Sequence, residues 1–166
     1  MPESNDHGSR GLQALLSKLQ QESGDGQRLV NDLRNNPICS VTVDHSVPCI
    51  SVVWKRYATS TQLRFVHEKI ICLLAAHHVS SIIGDDTELP TIHLDDQQWI
   101  AQDWMPRAQS AGLKAAASKR PLSYFGKMAV ERVQSIAPKG LALASFETLE
   151  EARRWLSALL RGLQPQ

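Results

Sequence analysis

The stretch ICSVTVDHSVPCISVVWKRY, residues 38–57, sets the reading of the whole chain. Its two ends, 38–43 and 49–57, are rich in Val, Ile and other residues that suit a pleated, half-buried surface. Between them DHSVP supplies turn residues. Two strand-like runs joined by so short a turn predict an antiparallel hairpin.

After the hairpin the pattern changes. Thr59, Ser60 or Thr61 can cap a helix whose stripe is Leu63, Val66, Ile70, Leu73, Leu74 and His77. SSIIG (80–84) is short, apolar and bounded by Gly and Asp, as a buried strand is. LKAAAS (113–118) and GLALASF (140–146) predict two further strands. FGKMAVERVQSI (125–136) predicts a helix between them. A capping box of Thr148 and Glu151 opens the last helix, with Leu149, Ala152, Leu156, Leu159, Leu160 and Leu163 on one face. The order is ββαβαβα. Strands alternating with helices imply right-handed crossovers and parallel pairing. The expected fold is therefore α/β, a five-stranded mixed, mainly parallel sheet with about four helices.

This domain is expected to span residues 37–163, preceded by an appendage at 1–36. Residues 1–9 are polar and expected to be disordered. GLQALLSKLQQ (11–21) puts Leu12, Leu15, Leu16 and Leu19 at helical spacing, and ESGDGQ breaks that helix.

Composition narrows the classes of function. The chain has 166 residues, 42% of them apolar and 21% charged, with a net charge of +1. That balance argues against a dedicated nucleic-acid binder, which carries a basic face. The longest apolar cluster, IICLLAA (70–76), is far shorter than a membrane span. The N-terminal MPESNDHGSRG is polar and acidic where a signal peptide is basic and then apolar, so the expected location is cytoplasmic. Cys39, Cys49 and Cys72 form no CxxC pair and no metal spacing, and are expected as reduced, buried thiols. No Gly-rich phosphate loop, nucleophile elbow or zinc motif is present, so neither catalysis nor a cofactor is expected.

DDQQWIAQDWMPRAQ (95–109) is the most unusual segment. Asp95 can cap its helix in a capping box with Gln98, Leu94 and Trp99 occupy staple positions, and Gly112 ends it. Ile100, Trp104 and Ala108 are spaced four apart and predict a core stripe. Trp99, five residues before Trp104, would lie about 140° away on an α-helix and face partly outward. Pro106 cannot donate to the carbonyl of Gln102, so the helix is expected to bend there, over the sheet or over a pocket. Arg107 is three residues from Trp104, where its guanidinium can stack on the indole.

DDTELP (85–90), DDQQWIAQDWMPRAQSAGLKAAA (95–117) and FETLEEARRWL (146–156) together resemble the bacterial SpoIIAA-like family. These small domains are related to the STAS domains of anti-sigma-factor antagonists and anion transporters, and are sometimes grouped with Sec14-like folds. The matching features are the strand ending in Trp54, Asp85 after the third strand, the QWI run, the W-x-P-R run Trp104–Arg107, the small-residue strand after Gly112 and the closing motif. The resemblance covers about residues 38–160 and implies a single α/β domain, mostly without established activity. STAS domains regulate partners, often through a phosphorylated Ser or Thr just after a central strand. The nearest position is Thr87, although GDDTELP departs from the DSSG-like motif, and a phosphate there would meet Asp85, Asp86 and Glu88.

The remaining candidates are polar. Asp85, Asp86, Thr87, Glu88 and His93 follow a presumed parallel strand, where ligands of open α/β sheets gather. Carboxylates with a histidine can hold a divalent metal, but no spacing here is diagnostic of one, so Asp85 and Asp86 are expected to form turn hydrogen bonds in a solvated loop and no metal is expected. His77 and His78 end a helix and suit capping of its carbonyls. Lys119 and Arg120 after a strand could meet an anion. The expected ligand or partner contacts are Trp99, Trp104, Arg107, Asp85 and Asp86. The first expected function is a non-catalytic regulatory or interaction module, a dimer or the partner of another protein, anchored by Trp99 and the N-terminal helix. The alternative is a carrier or sensor of a small apolar or amphipathic molecule beneath the bent Trp–Pro helix.

Overall fold

The computed structural model describes residues 33–162. The predicted helix at 11–21, and Leu163 of the last stripe, lie outside the described residues. The hairpin forms as β1 (Cys39–Asp44) and β2 (Cys49–Trp54), antiparallel, with Val41 opposite Val52. Asp44 holds the turn, accepting from the Ser46 amide at 2.8 Å and its hydroxyl at 2.7 Å.

Helix α1 (Ser60–His77) follows. Thr59 caps it reciprocally with Gln62, which satisfies donors that a helix start otherwise leaves open. His78, at φ 52°, ends it in the left-handed region. The predicted imidazole capping of carbonyls is replaced by this backbone turn, and His77 Nε2 is buried without a partner. Strand β3 (Ser81–Asp85) leads to α2, which runs Leu94–Trp99, passes through a π turn at Ile100–Trp104 and continues Met105–Ser110. Its cap is His93, which accepts from the Asp95 amide at 3.3 Å, two residues before the predicted Asp95 cap. Gly112, at φ +110°, takes the left-handed position after the helix. The Leu113 amide then reaches back to the Ala108 carbonyl at 2.9 Å. Strand β4 (Ala115–Lys119), α3 (Tyr124–Ser135), β5 (Ala142–Phe146) and α4 (Leu149–Gly162) complete the chain.

The sheet order is β1-β2-β3-β4-β5, and all pairs after the hairpin are parallel. Right-handed crossovers that step in one direction put their helices on one face. α1, α2 and α3 accordingly share one apolar core with Ile50, Val52 and Ile82. α4 covers the opposite face, where Leu156 packs with Cys49, Ile83 and Ala115. No helix among the described residues is long and apolar enough to cross a membrane.

Candidate functional site

The π turn is the local event that builds the site. Pro106 has no N–H, so the regular ladder fails beside it. The Met105 amide bonds the carbonyl of Ile100, five residues back, instead of four. The wider turn changes which residues share a face. Trp99 and Trp104, predicted to diverge, both reach the His67 ring of α1 edge-on, at centroid distances of 6.0 and 4.8 Å. Trp54, at the end of β2, stacks on the same imidazole at 6.0 Å. The indole N–H of Trp104 donates to the His67 carbonyl at 2.7 Å. The predicted stacking of Arg107 on Trp104 does not form. Arg107 lies over Trp99 at 5.8 Å, and Arg64 lies over the same ring at 4.9 Å.

Ion pairs clamp α1 to α2 around these rings. Arg107 grips Glu68 through both oxygens, at 2.8 and 2.6 Å, and also bonds Asp103. Donating these hydrogen bonds to Glu68 raises the already high pKa of the Arg107 guanidinium further. Asp96, buried at 2% exposure, accepts from Ser60 at 2.5 Å and Arg64 at 2.8 Å.

Under this bent, clamped roof lies a cavity of about 150 Å³. Its floor is made of small residues on adjacent strands that share one face: Gly84, Ala116 and Ser118. Short side chains there leave room that larger ones would fill. Its walls include Trp54, Leu63 and Ile70 on one side, Ile100, Trp104 and Met105 above, and Val130 and Val133 from α3. It sits toward the carboxyl ends of the parallel strands, where such folds place ligands.

Three polar side chains break this apolar lining with unused acceptors. Asp86 follows β3, and its Oδ1 is 3.3 Å from where a Cβ on Gly84 would stand, so glycine leaves the carboxyl its place. Among the described residues no donor reaches that carboxyl. Burial first, and the charge of Asp85 second, push its pKa up to about 7. His67 donates from Nδ1 to the Leu63 carbonyl at 2.8 Å. Burial pushes its pKa down to about 4, so the ring is neutral near pH 7 and Nε2 carries a lone pair. Gln134 gives its amide N–H to Ser145 at 2.6 Å, which leaves Oε1. Both Asp86 and His67 keep partial accessible surface while protein surrounds them, as side chains facing a cavity do.

The structure separates the other predicted residues. Asp85 turns away to accept from the Thr87 amide at 3.1 Å and hydroxyl at 2.5 Å. Thr87 is thereby engaged in a turn, and its carbonyl accepts from Leu122. His93 caps α2 instead of joining the acidic group. No group of three or more His, Cys, Asp or Glu stands in metal-holding geometry among the described residues. Arg120 pairs with Glu147. Sequence reasoning singled out Asp86 and Trp104, but missed His67 and Gln134. The one signal for His67 was its spacing, four residues after Leu63 and three before Ile70 on the buried stripe. Set beside known proteins, the chain gives no match to any family model, curated protein or solved structure.

Proposed function

We propose that this domain is a non-catalytic carrier or sensor that holds a small, largely apolar molecule in the cavity beneath the bent Trp–Pro helix. The observation that carries the reading is the cavity itself: an apolar chamber of about 150 Å³ with Asp86, His67 and Gln134 on its wall. A site of that volume takes a body about the size of benzene. Apolar lining with a few placed polar groups is the usual make-up of a small-molecule site. The SpoIIAA-like, STAS-related assignment is part of the proposal and rests on the sequence resemblance alone.

Toluene tests the reading. Titrated into the full chain, it is expected to shift the indole N–H resonances of Trp104 and Trp54 saturably. Ala116→Leu, which fills the floor, is expected to abolish the shift while the fold persists. Unchanged resonances in the parent chain would remove the reading's support.

A second reading, association with another copy or another protein, has its own observation. Leu122, Tyr124 and Phe125 are 72%, 70% and 69% exposed around the start of α3, and Leu94 is 61% exposed. Leu94 and Phe125 line one groove. Contiguous exposed apolar side chains commonly mark interaction surfaces. Sedimentation of the parent and of Tyr124→Ser/Phe125→Ser decides it: a dimer that the double variant dissociates supports this reading, and a monomeric parent removes self-association.

A further inference from the structure

The wall of the cavity says what kind of molecule it takes. Resting on the carrier reading, we infer that its ligand is a small amine, with a protonated nitrogen at Asp86 and an apolar body against the tryptophans. The unused side-chain valences point this way. The Asp86 carboxyl has no donor among the described residues, and burying a carboxyl without a partner is unfavourable. His67 Nε2 is an acceptor because Nδ1 already donates to Leu63. Gln134 Oε1 is an acceptor because the amide nitrogen is bonded to Ser145. Three acceptors therefore await donors. Ser118 and Ser145 share a 3.0 Å hydrogen bond in which either can donate, so this pair adapts to its neighbour.

An ammonium supplies three N–H donors and a positive charge. Its charge answers Asp86, and the faces of Trp54 and Trp104 attract cations as well as apolar carbon. An anionic ligand would meet the carboxyl and three lone pairs with nothing cationic on the wall. Arg64 and Arg107 are held outside, over Trp99, by Asp96, Glu68 and Asp103.

The groups around Asp86 are few. Asp85 precedes it on the same strand end. Cys39 on β1 feels its charge, and that thiol is itself pushed up to about 12, chiefly by burial. His67 faces the cavity from α1. α2 and α3 present Ile100, Trp104, Met105, Val130, Val133 and the uncharged Gln134. A carboxyl in this setting, with a pKa of about 7, must ionise to bind an ammonium well. Amine affinity is then expected to rise with pH up to about 7 and to level off above it, for an amine that stays protonated throughout.

Calorimetry on the full chain with three probes of one shape provides the test: benzylamine, benzyl alcohol and benzoate, at pH 5.5 and pH 8. At pH 8 benzylamine is expected to bind about tenfold or more tightly than benzyl alcohol, since bonds between charged groups are roughly twice as strong. Benzoate is expected not to bind. Lowering the pH to 5.5 is expected to weaken benzylamine by about tenfold or more while leaving benzyl alcohol unchanged. Asp86→Asn, which keeps the shape and removes the charge, is expected to erase both the preference and its pH dependence. Benzyl alcohol equal to or better than benzylamine, or benzoate best of the three, overturns the amine inference and leaves the carrier reading intact. Failure of all three probes, with toluene also silent, overturns both.

Discussion

Replacing Asp86 with Asn gives the sharpest stability test of the site. The substitution keeps the side chain's shape and removes its charge. In the fold the carboxyl titrates near 7, against 3.8 for an ordinary aspartate. Between those values the unfolded chain has released the proton and the folded chain has kept it. Stability therefore falls as pH rises through that window, because the unfolded state binds fewer protons. At about 1.4 kcal/mol for each factor of ten, the full gap corresponds to roughly 4 kcal/mol. Asp86 keeps some accessible surface toward the cavity, where water screens it, so about 2 kcal/mol is expected. Asn has no such titration. His67 works in the opposite sense, since its neutral ring loses stability as pH falls from 6.5 toward about 4, but it is present in both proteins and cancels. Urea unfolding of the parent and Asp86→Asn at pH 4, 6 and 8 reads the difference directly. The variant is expected to gain on the parent by about 2 kcal/mol from pH 4 to 8. A difference that does not change with pH, or changes in the parent's favour, would refute the assignment of a buried, unpartnered carboxyl.

Three further outcomes follow from the same geometry. Trp104→Phe removes the N–H that the His67 carbonyl accepts and part of the roof, and is expected to destabilise by about 2–3 kcal/mol in urea unfolding; Trp99→Phe, half-buried between two guanidinium groups, is expected to lose less than half of that. Arg64→Ala leaves Asp96 buried with Ser60 as its remaining partner, and is expected to destabilise by about 2–3 kcal/mol, more than Asp96→Asn. All three cysteines are buried, and burial pushes Cys39 and Cys49 up to about 12 and raises Cys72, so a thiol reagent at pH 8 should label none natively and all three on unfolding. Prompt labelling of the native protein would contradict that burial.

Much of the fold was legible because periodicity and caps report local physics. The hairpin, the Thr59 and Thr148 caps and the glycine turn at Gly112 each follow from residues within a few positions of one another. Sheet order followed from alternation and handedness. The site was less legible because it depends on residues far apart in the chain. Pro106 announced an irregular helix, but the bend took the form of a π turn, and that alone brought Trp99 and Trp104 onto one histidine. The run AAAS read as a strand of small residues; that Ala116 and Ser118 leave a hollow under α2 depends on Gly84 lying beside Ser118 on the same face. Asp85 and Asp86 look alike in sequence. Consecutive residues at a strand end face different ways, so one closes a turn with Thr87 and the other meets the cavity.

Native mass spectrometry of the full chain, purified without refolding, tests the central claim most directly. The carrier reading predicts extra non-covalent mass that disappears on denaturation, is absent from Ala116→Leu, and belongs to a molecule with a basic nitrogen. A parent chain that carries only its own mass in the native state, and gains none when equilibrated with millimolar toluene or benzylamine, would contradict it.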